Sequence, residues 1–143
     1  MEHPASVQQP GILQWNNRCF GCGPANSNGL HLEFRPAEDK TAVCLVTIPE
    51  SFESFPGFLH GGIIATLLDE AMSKAILTLD IRALTVQMEI DYLRPVPSGK
   101  PLRIEGRVLR SEGRKHWAEA IITSGKGSTL AKSKGLFVQV RSR

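Results

Sequence analysis

Only one stretch of this chain carries a helical period, and it is too apolar to stand alone. It runs from His60-Gly61-Gly62 through Ile63-Ile64-Ala65-Thr66-Leu67-Leu68-Asp69-Glu70-Ala71-Met72 to Leu79. At about 100° per residue, Ile63, Ile64, Leu67, Leu68, Ala71, Met72, Ala75 and Leu79 form a broad apolar face, while Gly62, Ala65, Thr66, Asp69 and Ser73 form a second face of small residues. With no second helix to pack against, that apolar face has to be covered by a sheet. After Leu79 the period changes to 2. Leu84 to Leu93 alternates throughout, predicting Leu84, Val86, Met88, Ile90 and Tyr92 on one side and Thr85, Gln87, Glu89 and Asp91 on the other. Leu102 to Leu109, His116 to Thr123 and Ser128 to Val140 read as three more strands, divided by Glu112-Gly113-Arg114 and Gly125-Lys126-Gly127. Upstream, Leu30 to Arg35 and Thr41 to Ile48 flank Pro36-Ala37-Glu38-Asp39-Lys40 and predict a hairpin. The expected class is α+β, with one long helix, roughly Gly62 to Leu79, wrapped by an antiparallel sheet of about five to six strands.

The 143 residues suit a single domain. We place its start near residue 18, after a tail (1–17) whose anchors are Ile12, Leu13 and Trp15. A formal charge of +3 is too small to argue for nucleic-acid binding, although it suits a phosphate-bearing ligand. No stretch approaches the roughly 20 apolar residues of a membrane span, and the first ten residues lack the basic start and apolar core of a signal peptide. Three cysteines, Cys19, Cys22 and Cys44, argue against a disulfide framework and for a reducing, cytoplasmic setting.

Three features bear on chemistry. Two glycines before a run of helix formers leave the first helical N–H groups of the segment bare, which is a site for a carbonyl oxygen or an anion. Asp69 stands on the small-residue face, where another backbone can come close; Glu70 and Lys74, at i and i+4, read as a solvated ion pair. Cys19-Phe20-Gly21-Cys22-Gly23-Pro24 reads as a structural turn ahead of a zinc or redox motif, because the only further metal ligands in view are Cys44 and scattered His31, His60 and His116.

The order of hairpin, His-Gly-Gly helix, long strand ending in Tyr92-Leu93-Arg94-Pro95-Val96-Pro97-Ser98-Gly99, and three antiparallel strands resembles the hotdog-fold acyl-CoA thioesterases of the PaaI-like type over about residues 19–140. The resemblance implies hydrolysis of an acyl-CoA thioester to a carboxylic acid and free CoA, with no metal or cofactor. It implies that Asp69 is the nucleophile or general base and that Gly61 and Gly62 polarise the thioester carbonyl. His60 matches the histidine of that turn, read as a hydrogen-bonding residue ahead of a proton donor. Thr85 falls where relatives place a hydroxyl that orients water. Many relatives carry Asn six residues before the histidine, and here that position is Ser54. Phe55, Phe58 and Leu59 are candidates equally for the acyl pocket and for the core. Arg94, Arg110, Arg114, Lys115 and Lys126 could meet CoA phosphates or be plain surface.

Asp69 lies about two helical turns, roughly 10 Å, from the glycines of its own chain. The family supplies the carboxylate from the partner's helix, so the expected state is a homodimer, extending to a dimer of dimers, with an inactive monomer. Two rival functions are a hydratase or dehydratase acting on acyl thioesters and a non-catalytic acyl-CoA binding module.

Overall fold

The computed structural model describes residues 11–14 and 16–141. Its elements are β1 (Arg35–Ala37), β2 (Thr41–Thr47), α1 (Gly61–Leu77), β3 (Ala83–Tyr92), β4 (Pro101–Glu112), β5 (Lys115–Ser124) and β6 (Thr129–Gln139). The strands form one six-stranded antiparallel sheet in the order β1-β2-β4-β5-β6-β3. The wrapped-helix arrangement is therefore present, with six strands. Of the expected tail, residues 1–10 and the anchor Trp15 lie outside the described residues; Leu13 pairs with Phe34, its N–H donating to the Phe34 carbonyl at 2.7 Å.

The helix buries Ile64, Leu67, Leu68, Ala71, Met72, Ala75 and Ile76 against the sheet, where they meet Ile104, Val108, Ala118, Ile122, Ala131 and Phe137. It packs most closely on β4, and Gly106 is the reason. A Cβ at that position would run into the Ala71 carbonyl, so glycine on the strand and alanine on the helix together set the separation of the two layers.

The sheet departs from the expected pattern in two places. Leu30, Leu32 and Phe34 are buried and His31 and Glu33 exposed, as alternation predicts, yet this segment is not the first hairpin strand. His31 has a φ of 54°, which interrupts extended backbone, so pairing with β2 begins only at Arg35 and turns back through Asp39 and Lys40, both in the left-handed region.

The second departure is in β3, where the register shifts between Thr85 and Gln87. Val86 is the extra residue of a bulge. The predicted single apolar face is therefore split. Met88 and Ile90 pack on the core and Tyr92 reaches the helix start, but on the other side of the bulge it is Ala83 and Thr85 that face α1. Leu84 and Val86 are left 60% and 58% exposed on a strand that has no neighbour on its outer edge among the described residues. Among the described residues no helix is long and apolar enough to cross a membrane.

Candidate active site

His60 ends the loop that follows β2 and caps α1. Its N–H donates to the Phe52 carbonyl at 2.9 Å, its carbonyl accepts from Ile63 and Ile64, and its Nδ1 accepts the Gly62 N–H at 2.9 Å. A backbone N–H can only donate, so Nδ1 is unprotonated and the neutral ring carries its hydrogen on the exposed Nε2. This corrects the expectation of two bare glycine amides. The Gly62 N–H is taken by its own histidine, whereas the Gly61 N–H has no partner among the described residues. Nδ1, being occupied, cannot serve as a base.

Tyr92, grouped by its sequence with the core face of β3, touches this turn. Its hydroxyl donates to the Gly61 carbonyl at 3.1 Å and its ring lies beside Gly61. The sequence signals for that role are its place at the last alternating position of the strand and at the head of the Tyr92-Leu93-Arg94-Pro95 signature.

Asp69 stands two turns along α1 on the small-residue face, which is part-exposed to open along its length. The Thr85 hydroxyl donates to Asp69 Oδ1 at 2.6 Å, a short, charge-assisted bond. Burial pushes the Asp69 carboxyl above its ordinary value, and neighbouring Glu70 pushes it the same way; the Thr85 bond and the Lys74 charge pull it down without cancelling the rise. The β3 bulge matters here, because it brings Thr85 round to face α1.

The structure thus brings Asp69 and Thr85 together and, separately, His60, Gly61, Gly62 and Tyr92. It does not bring the two groups together within one chain, since eight residues of helix, about 12 Å, separate Gly61 from Asp69. The loop before His60 is tied down at both ends. Ser54 and Phe58 bond through the backbone at 3.0 Å, Leu59 donates to the Val96 carbonyl at 2.8 Å, Gly57 donates to Glu53 at 3.0 Å, and Ser98 also bonds Glu53. Leu59 is core at 3% exposure, whereas Phe55 and Phe58 stand out at 74% and 43%. Ser54 is exposed, its backbone engaged. Of the basic residues, Arg110 pairs with Glu112 and lies over the Trp117 ring, and Arg114 donates to the Gln139 carbonyl, so both have structural partners already.

Glu70 and Lys74 are not a solvated pair. Lys74 is fully buried and its Nζ lies 2.9 Å from Glu70 Oε1, with side-chain exposures of 1% and 14%. The i,i+4 spacing is as predicted, but the Cys19–Cys22 turn lies over it.

A family model of the thioesterase superfamily matches residues 56–131. Acyl-coenzyme A thioesterase THEM4 of Xenopus laevis is 32% identical over 103 residues, and THEM5 of Mus musculus is 33% identical over 109 residues. These alignments cover 71% and 76% of this chain but 46% and 44% of the relatives, so the chain spans less than half the length of either. Among solved structures, one thioesterase superfamily protein superposes with a TM-score of 0.79 at 28% identity, covering 84% of this chain and 62% of that one.

Proposed function

This chain belongs to the thioesterase superfamily and has its hotdog fold, and on that premise we propose that it hydrolyses an acyl-CoA thioester to a carboxylic acid and free CoA, working as a homodimer. The observation that carries the reading is Asp69. It is a half-buried carboxylate with a hydroxyl partner at 2.6 Å and no cation of its own, on a helix face that is otherwise small and open. The names of the THEM relatives support the substrate class.

In this reading the thioester carbonyl sits against the open Gly61 N–H, with the His60 Nε2–H beside it, at a helix start that carries partial positive charge. Gly62 acts indirectly, by holding His60 in place. Asp69 comes from the partner's helix and either attacks the carbonyl carbon or takes a proton from the attacking water; burial raises its pKa, which makes it a stronger proton acceptor than an ordinary carboxylate. The CoA thiolate then leaves. Phe55 and Phe58, exposed in one chain, supply apolar wall for the acyl group, and Ser54 stands beside them.

The same region supports the dimer. The β3 edge is unpaired among the described residues and carries exposed Leu84 and Val86, a surface that a second copy would cover. Thr85 belongs to that edge strand and holds Asp69, so a copy pairing along β3 also comes up to the carboxylate. A cytoplasmic location accords with three unpaired thiols.

The test is thiol release across short, long and aromatic acyl-CoAs, run beside Asp69→Ala, with sedimentation of the same samples. We expect turnover by a dimer and background rates for the variant. Full turnover by Asp69→Ala, or by a monomer, would overturn the reading.

A further inference from the structure

The structure assembles a second cluster that the proposed hydrolysis does not use, and it stands independently of that reading. The Gly23 N–H donates to the Cys19 carbonyl at 2.8 Å, closing one tight turn with Cys19 and Cys22 on it. Leu30 and Leu32 donate to the Phe20 and Gly21 carbonyls, both at 2.8 Å, and pin that turn in place. Gly21 lies so close to α1 that a Cβ there would collide with the Glu70 carboxylate. Cys19 Sγ is 3.8 Å from Glu70 Oε2, and the Cys19, Cys22 and Glu70 donor atoms all lie within 4.8 Å of one another. Lys74 holds the other Glu70 oxygen at 2.9 Å and also neighbours Cys22. Cys19 is half-buried, Cys22 is 5% exposed and Lys74 is fully buried.

Two chemistries suit two thiols one turn apart. A structural zinc ion needs four donors, and three converge here. The cluster also contains its own cation, because the Lys74 ammonium sits on Glu70, and a divalent ion among the same groups would meet its repulsion. Dithiol chemistry needs an accessible sulfur, a second sulfur buried behind it, and a group to accept the second proton. All three are present.

We propose that Cys19 and Cys22 are a redox-active dithiol that exchanges with low-molecular-weight disulfides of the glutathione class and closes a Cys19–Cys22 disulfide. Cys19 thiolate attacks one sulfur of the disulfide; the Cys19–S bond to that sulfur forms, the S–S bond of the small molecule breaks, and one thiolate leaves. Glu70 takes the proton from Cys22, with the Lys74 charge beside the sulfur it uncovers. Cys22 then attacks Cys19, the protein disulfide forms and the second thiolate leaves. Two electrons have passed to the small disulfide, and the two protons released from the protein complete two small thiols.

The electrostatics agree with the geometry. Cys19 is lowered to about 6, mainly by the hydrogen bond from Cys22, while Cys22 is raised because it keeps that proton and is buried. Cys44, raised to about 11 by burial, is an internal control.

The reduced protein is titrated with oxidised against reduced glutathione, quenched with an alkylating agent in denaturant so that buried Cys22 and Cys44 also react, and weighed intact, with elemental analysis of the same preparation. We expect a species lighter by two hydrogens that has lost two alkylation sites while keeping that of Cys44. Cys22→Ser should halt at one glutathione adduct on Cys19. At pH 7, Cys19 should alkylate about two- to threefold faster than an ordinary thiol, its greater thiolate fraction partly offset by weaker nucleophilicity. Glu70→Gln should accumulate the mixed disulfide. If no internal disulfide forms at any ratio, the proposal is overturned. It is equally overturned if the protein carries one equivalent of zinc that shields both thiols until a chelator removes it.

Discussion

Asp69 and Glu70 are consecutive residues of α1 and leave the helix about 100° apart, one toward the small-residue face beside β3, the other toward the Cys19–Cys22 turn. Glu70 has an ammonium at 2.9 Å. Asp69 has a hydroxyl at 2.6 Å and no ion pair among the described residues, so burial raises its pKa further than the Thr85 bond and the more distant Lys74 charge lower it. The pair of neighbours separates two uses of a buried carboxylate. In thioester hydrolysis the charge with a fixed counter-ion stands aside, whereas the one held mainly by a dipole stays reactive, at a cost in stability.

The largest effect that follows is on turnover. Asp69→Asn keeps the shape and still accepts from Thr85, but has neither nucleophile nor base. Acyl-CoA hydrolysis should fall by about 10²–10⁴-fold, measured as thiol release under saturating substrate. An equal loss in Glu70→Gln would erase the distinction between the two positions, because Glu70 would then share the chemistry.

Next in size is Lys74→Met. It strands the Glu70 carboxylate in a buried setting, and removing one member of such a pair typically costs about 3–5 kcal/mol. Urea unfolding should show a lower midpoint with an unchanged slope. Adding Glu70→Leu to it should recover most of the loss, since no unpaired charge then remains. If Lys74→Met is as stable as the parent, Glu70 is not held as the structure shows. Smaller again is Thr85→Val, which removes one hydrogen bond to a charged group. That contribution, about 1.5–3 kcal/mol, would appear as a fall of about tenfold or more in kcat with KM little changed. A change confined to KM would recast Thr85 as a binding residue.

Much of this was legible in the sequence, and the exceptions share a cause. The single amphipathic helix, the later strands and the His60-Gly61-Gly62 turn follow from local periodicity and turn chemistry, and the structure keeps them within a few residues. What could not be read depends on which distant segment covers a residue. Glu70 and Lys74 have the spacing of a surface pair, and nothing near them announces that a turn 51 residues away will close over them. The β3 bulge is hidden by an alternation that continues straight through Val86, yet it is what turns Thr85 toward Asp69. The sharing out of the glycine amides depended on one ring nitrogen, since His60 Nδ1 takes the Gly62 N–H and leaves that of Gly61.

The smallest effect tests the cost assigned to Asp69 directly. Its carboxyl has an ordinary value of 3.8 and a higher one in the folded chain. Below 3.8 both states hold the proton and nothing is lost. As pH rises from there toward the folded value, the unfolded chain releases its proton while the folded chain retains it, so stability falls; above the folded value the loss is complete. Asp69→Asn carries no titrating group, so the variant should gain on the parent across that window and stay ahead at neutral pH. Paired urea midpoints at acid and neutral pH measure this. A gap that closes instead as pH rises would mean that the folded chain prefers the charged carboxylate, and the cost assigned to Asp69 would be wrong.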